Sequence, residues 1–449
     1  MSTVSDAAVN DIHHHLDGTG FLGTISNSDL KDSTKDLTSL SSADANDAVS
    51  KLGDDDLKTL AEGGTWHELS EGEKRDFLND MAGKLSGDNL AKLGKAFGYE
   101  AVAEAVTSHG TPNAQADYVA ALAPQVSGDA QNHVTVGGSY STYGNDAAKA
   151  AGQVLAGLSG QPSAFNDAVN ALSKAGKLDD VMKTALGQTD NYSASAVTSS
   201  YKPEQLVKIL NAAATSNDPA VKAKVFEEGG KQLKALEDTH MSLGYYPTGA
   251  EDAAKQVGAA MGNILKSDTN GVIHALDNNA FSRDGHALSS YFREMVKEGN
   301  YGDIADIVQK QQTGNDGNQN VATRLGPPYD NAKDLGYVTG AIEAGIKGYT
   351  NDASKQAAAV GSIFNAVITA TAAAGPGATV ASAGMGYLTT GLVNAATDSI
   401  ASNGDNLSQS LSLLAYPHNE DGVSLLPKDQ QTSFDTVYDG ARDRVKGAN

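Results

Sequence analysis

The stretch "QAAAVGSIFNAVITATAAAGPGATVASAGMGYLTTGLVNAAT", Gln356 to Thr397, contains no Asp, Glu, Lys, Arg or His. It sits in a chain of 449 residues in which 20% are charged and the net charge is −22. In its first half, Val360, Ile363, Phe364, Val367 and Ile368 recur at helical spacing and form one broad apolar surface. Gly375-Pro376-Gly377 then stops that helix, because Pro has no N–H to donate and its ring clashes with the preceding turn. Val380, Met385, Leu388, Leu392 and Val393 resume the pattern, and so short a link turns the second arm back along the first. The segment predicts a helical hairpin over 356–397.

Outward from this hairpin, helix signals dominate. Ser70 and Glu73 have the Ser-x-x-Glu spacing in which each side chain satisfies an orphan backbone donor at a helix start. Phe77, Leu78, Met81 and Leu85 follow at helical spacing. Pro112, Pro162 and Pro203 each open an apolar-periodic run, the position a helix tolerates best. Strand signals are nearly confined to "NHVTVGGSYSTYG", Asn132 to Gly144. The fold class expected is mainly α, a multi-helix bundle or stacked helical hairpins with a buried, uncharged C-terminal hairpin.

A faint repeat supports the stacked form. "KLGDDDLKTL" from Lys51 resembles "KLSGDNLAKL" from Lys84, and each follows a helix opened by a Leu-Ser pair, Leu40-Ser41 and Leu69-Ser70. A looser echo, "KLDDVMKTAL", starts at Lys177. Amphipathic helices with similar caps give the same signal without an array. Loop-rich stretches place the expected divisions: a helical region 1–126, a central helical region 127–310, a linker 311–333 rich in Gly, Asn and Pro, and a C-terminal unit 334–449.

Composition excludes more than it identifies. Against 55 acidic residues stand 33 basic ones, so a general nucleic-acid partner is not expected. The same balance opposes resting on an anionic membrane at neutral pH. With no cysteine, disulfides, thiol nucleophiles and thiolate metal sites are absent. The N-terminal "MSTVSDAAVNDIHHHLDGTG" has no basic region followed by an apolar run, so no cleavable signal peptide is read there.

Candidate chemistry is sparse. Gly18, Gly20 and Gly23 spell G-x-G-x-x-G, but no strand precedes them and no helix opens on the last glycine, as a dinucleotide site requires. His13, His14 and His15 with Asp17 are suitable metal ligands by type, yet adjacent histidines do not converge on one ion; a solvated N-terminal run that is dispensable for folding is expected. Asp268, Asn270, Gly271 and Asp277 partly echo a calcium loop, but Lys266 stands where its first acid belongs, which favours a helix junction with a glycine cap. No catalytic, cofactor-binding or metal-binding residue is therefore assigned, no cofactor is expected, and nothing points to an enzyme.

The hairpin leaves two readings open. One is a core element, uncharged because it is buried on all sides. The other is a concealed membrane element, since each arm, at about twenty residues, is long enough to cross roughly 30 Å of hydrocarbon, although Asn365, Asn394 and the many Ser, Thr and Gly residues make it less apolar than a Leu-rich span. In that reading, acidification neutralises carboxylates, loosens the soluble fold and frees the hairpin.

An acidic, cysteine-free, mostly helical body with such a hairpin near its C-terminus resembles colicin-like pore-forming domains, and secreted effector and translocator-like proteins of bacterial contact-dependent and type III secretion. The resemblance covers about the last hundred residues and rests on architecture. It departs from colicin domains in a less hydrophobic hairpin and in the residues that follow it. It implies a protein exported from a bacterium without a cleavable signal, a membrane as partner, and a secretion chaperone or immunity protein as a second one. The alternative is a cytoplasmic, soluble helical interaction scaffold.

Overall fold

Serine, threonine and aspartate caps set the beginnings of many helices, and the capping box read at Ser70 and Glu73 is present, with Ser70 N donating to Glu73 Oε2 at 2.9 Å. The computed structural model describes residues 4–17, 25–64, 67–135, 138–193, 195–239, 245–279, 284–317, 319–373, 390–414, 424 and 426–445. Among them are twenty-three α-helices and one five-stranded sheet. The chain is mainly α, as its periodicity indicates. It divides into two compact units, Met1–Ser216 with Leu243–Thr248, and Asn217–Ser242 with Gly249–Asn449. This division follows different lines from those drawn at 126, 310 and 333, because strand pairing ties 130–143 to 189–200 and to 245–248.

The first unit opens with α1 (Val4–Leu16), α2 (Asn27–Ser39), α3 (Ser42–Lys51), α4 (Asp54–Glu62), α5 (Glu71–Ala82), α6 (Gly87–Phe97), α7 (Tyr99–His109) and α8 (Pro112–Leu122). The echo between Lys51 and Lys84 marks two equivalent helix pairs. Ser41 caps α3 as Ser70 caps α5, and Leu52, Leu57 and Leu60 are buried at the α3–α4 corner as Leu85, Leu90 and Leu93 are at the α5–α6 corner. Polar side chains join the pairs: Asn46 donates to Lys84 O at 2.8 Å and accepts from Ser86 N at 2.7 Å. Lys92 caps the last carbonyls of α3, reaching Leu52 O at 2.5 Å and Val49 O at 3.1 Å. A cation there also suits the negative end of the helix dipole. Gly98, at φ 93°, makes the sharp joint between α6 and α7 that a side chain would strain.

Next come β1 (Ala130–Thr135), β2 (Gly138–Tyr143), α9 (Asp146–Gly157), α10 (Pro162–Lys174), α11 (Leu178–Ala185), β3 (Thr189–Tyr192), β4 (Val197–Ser200) and α12 (Glu204–Ala214). The strand signals at Asn132–Gly144, which left a hairpin or an extended loop open, are β1 and β2, and β3, β4 and β5 (Tyr245–Thr248) extend the pair. Strands lie in chain order, antiparallel except for the parallel β4–β5 pair. Pleating puts alternate residues on opposite faces. The inner face carries Ser141, Asp190 and Ser199, all buried. There Asp190 accepts from Ser199 Oγ at 2.6 Å and from Tyr143 OH at 2.8 Å, which satisfies a carboxylate that would otherwise be costly to bury.

The second unit comprises α13 (Pro219–Glu237), α14 (Ala250–Ser267), α15 (Thr269–Asn278), α16 (His286–Lys297), α17 (Tyr301–Thr313), α18 (Val321–Leu325), α19 (Asp330–Tyr349), α20 (Ala353–Ala373), α21 (Thr390–Ser402), α22 (Leu407–Ser412) and α23 (Lys428–Val445). Its central helix is α19, buried without a break from Asp334 to Ile346. Three glycines let its neighbours close in. A Cβ on Gly336 would collide with Tyr438 O, and one on Gly340 would lie 2.6 Å from Arg442 O, both on α23. One on Gly345 would lie 2.9 Å from Ser289 O on α16. Phe434 and Tyr438 complete the α23 contact, and Thr339 Oγ1 meets Tyr438 OH at 2.8 Å.

Candidate functional site

The described arms of the 356–397 segment are α20 and the start of α21. They run antiparallel: Gly361 faces Thr397, and Gly404, just past α21, faces Gln356 and Ala353. Val360, Ile363, Phe364 and Val367 are buried on α20, and Val393 is buried on α21, while Ile368 and Leu392 are half-buried. These residues form the face turned toward α17, α19 and α22. Gly375, Pro376, Gly377, Val380, Met385 and Leu388 lie outside the described residues.

The opposite face is open. Ala358, Asn365 and Thr369 on α20, with Gly391, Asn394 and Ala395 on α21, are exposed. The hairpin is thus buried along one face rather than on all sides, and the helix enclosed by its neighbours is α19, which carries Asp334 and Glu343. Among the described residues of 356–397, small and amide side chains cover the outer face without a large apolar group, and the exposed Lys355 on α20 and Asp398 on α21 bound it. Among the described residues no helix is long and apolar enough to cross a membrane.

The three histidines are solvent-accessible, His14 exposed and His13 and His15 half-buried, but they belong to a folded helix and not to a loose run. They lie in the last turn of α1, whose Ala8, Val9 and Ile12 are buried against α2, α3 and α4. His13 Nε2 is 3.2 Å from Asp56 Oδ2 and His15 Nε2 is 3.6 Å from Asp36 Oδ2. The expectation that this segment is dispensable is corrected accordingly, because Ile12 completes a core that polar His-rich flanks conceal in sequence. Ile12→Ala should destabilise the first unit by roughly 3 kcal/mol, read as a lower urea midpoint with an unchanged slope. Gly18, Gly20 and Gly23 lie outside the described residues.

The calcium-loop echo is the junction of α14 and α15. Its cap is Asp268, which accepts from Gly271 N at 3.0 Å, and not a glycine. Asp277 is buried and salt-bridged to Lys333 at 2.8 Å and to Arg444 of α23. Among the described residues no group of three or more His, Asp or Glu side chains converges to hold a metal ion. A cleft of about 460 Å³ on the second unit is lined by Lys234, His286, Arg293 and Lys347. Carboxylates engage three of these cations: Arg293 meets Asp238 at 3.0 Å, Lys234 meets Asp238 at 3.7 Å and Lys347 meets Glu343 at 2.6 Å.

Buried carboxylates are the feature that sequence reading missed, since nothing in a run of helical acids says which face each occupies. Glu237 and Glu294 accept no hydrogen bond at either oxygen. Burial pushes Glu237 up to about 8 against the pull of Arg293, Glu227 up to about 7 against that of Lys231, and Asp334 up to about 6 against that of His274. Glu294 is also raised by burial. A carboxylate whose folded pKa is raised contributes stability below its unfolded pKa and loses it as pH climbs through the folded value. Mild acid therefore strengthens these sites in the second unit, opposite to the loosening expected from the overall acidity. No protein-family model, curated protein or solved structure matches this chain.

Proposed function

We propose that this is a non-catalytic, effector-like protein exported from a bacterium, and that its C-terminal hairpin is the element that meets a membrane surface. The observation that supports this reading is the α20–α21 pair itself: a helical pair whose part within 356–397 carries no formal charge, fixed to the second unit by one face and open on the other. A net charge of −22 repels anionic lipid near neutral pH, and that repulsion fades as carboxylates protonate. The trigger in this proposal is loss of charge and not a loosened core.

The test is flotation with anionic vesicles, together with dye release, between about pH 7.5 and about pH 5. The expected result is binding only toward the acid end. Asn365→Asp, on the exposed face, should weaken it about tenfold without changing the melting temperature. Wild-type protein that neither floats nor releases dye anywhere in this range sinks the proposal.

A second reading rests on the matched helix pairs α3–α4 and α5–α6. In it the chain is a soluble helical interaction scaffold, whose stacked pairs present a continuous surface suited to a protein partner without any membrane step. It becomes the better account if vesicles fail.

A further inference from the structure

The outward face of the five-stranded sheet carries a row that spans all five strands. Strand register places His133 opposite Tyr140, Tyr140 opposite Asn191, Asn191 opposite Thr198, and Thr198 opposite Tyr246. The His133 and Tyr140 rings stack, with centroids 4.6 Å apart and planes 18° apart. At the other end Tyr246 is 44% exposed, so its ring is open to a ligand. Among the described residues, the side chains of Tyr140, Asn191, Thr198 and Tyr246 make no hydrogen bond. Adjacent strands lie ~4.8 Å apart, so Tyr140 and Tyr246, three strand spacings apart, are separated by roughly 14 Å.

Charge makes this surface unusual in its own chain. One residue in five of the protein is charged, yet the five strands contain a single Asp, Glu, Lys or Arg. That residue is Asp190, which points inward and is paired. The outward face offers only rings, amides and hydroxyls: Thr142, Thr189, Ser200 and Thr248 form the next row. Sheets that merely need solubility usually place charged side chains on the wet face, and this one does not.

We propose that this face binds a neutral oligosaccharide. Tyrosine supplies a large, rigid, amphipathic surface at low entropic cost, and its ring accepts the C–H-bearing face of a pyranose. Between the two rings, Asn191 can both donate and accept, and Thr198 adds a hydroxyl, matching the paired hydroxyls around a sugar ring. An acidic glycan or a nucleic acid would need Lys or Arg on this face and would meet the repulsion of a net charge of −22. An extended peptide would pair with an edge strand through backbone groups, and would leave the row unused. The proposal stands on unit-one residues only and is independent of the hairpin reading.

The full chain should be titrated calorimetrically with cellohexaose, xylohexaose, maltohexaose and chitohexaose, with polygalacturonate and heparin as charged probes. At least one neutral series is expected to bind with an affinity unchanged by added salt, as an interaction without ion pairs requires. Tyr140→Ala and Tyr246→Ala should each weaken that binding by about tenfold or more. Tyr140→Phe keeps the ring and should bind within about twofold of wild type; it separates loss of the platform from loss of the sheet, whose integrity circular dichroism reports. The proposal is overturned if no neutral series binds at millimolar ligand, if only the charged polymers bind, or if correctly folded Tyr140→Ala and Tyr246→Ala bind as wild type does. Capture of an extended peptide with equal affinity by wild type and both variants would also overturn it.

Discussion

Gly340→Val is expected to unfold the second unit while leaving the first intact. A Cβ at position 340 would sit 2.6 Å from Arg442 O and 3.1 Å from Arg442 Cα on α23. The obstacle is backbone, which cannot rotate away as a side chain does, so α19 and α23 must separate. Separation strips Phe434 and Tyr438 from their packing against Leu335 and the α18 residues Val321 and Leu325. It also pulls Arg444 from the buried Asp277, leaving that carboxylate with Lys333 as its remaining salt-bridge partner. Overpacking of this kind and loss of a buried ion-pair partner each cost on the order of 3 kcal/mol, a large share of a domain's total stability. The measurement is urea unfolding followed by far-ultraviolet circular dichroism. The variant should show a separate early transition for the second unit, whereas a single wild-type-like transition would show that the α19–α23 contact carries little weight.

Replacing Glu237 by Gln should stabilise the second unit at alkaline pH and do little at acid pH. In the native fold Arg293, Asp238, Glu294 and Lys297 surround this carboxyl, and burial outweighs the cations to hold its pKa near 8. The folded-state value lies above the unfolded one of 4.5. The group therefore favours folding at low pH, and that contribution is lost as pH rises through about 8. An amide cannot ionise, so Glu237→Gln removes the alkaline penalty, which is on the order of a few kcal/mol. Melting temperatures of wild type and variant should converge near pH 5 and diverge by several degrees near about pH 8.5. A constant difference across this range would mean that Glu237 does not titrate as its burial requires. The first unit behaves differently. Lys31 and Ser70 hold the exposed Glu73 down at about 2, so its contribution is present above the unfolded value and is lost only as pH falls from about 4.5 toward 2.

Much of the helical scaffold was legible because it is written in local chemistry. Ser70 with Glu73, and proline at the first helical position of α8 and α10, act within a few residues of where they sit. The extended character of 132–144 was legible for the same reason, although its pairing as β1 and β2 was not distinguished from an extended loop. By contrast β3, β4 and β5 are four residues each, too short to show alternation, and their pairing with a preformed neighbour decides their conformation. Helix α1 was hidden by three polar histidines beside the one fully buried Ile12. The candidate hairpin was legible as two helices, but its burial was not, because a lack of charge marks an enclosed helix and a small-residue outer face alike. The central position of α19 was the hardest to see. Its decisive residues are Gly336, Gly340 and Gly345, which carry no hydropathy and matter only through the backbones they admit.

The glycine-lined side of α19 also imposes an order in time. Its Gly336–Gly340 stretch is closed by α23, and the interval 350–427, with both described hairpin arms in it, separates the two helices along the chain. At roughly 5–20 residues per second, a ribosome spends on the order of ten seconds making that interval. Throughout it the Gly336–Gly340 stretch of the nascent α19 presents a bare backbone groove that α23 has yet to fill. Completion of the second unit is therefore a late event in biosynthesis, and the uncharged segment emerges while the central helix is still unsealed. The stage most exposed to mispairing, and most in need of a holding factor, falls between synthesis of α19 and synthesis of α23.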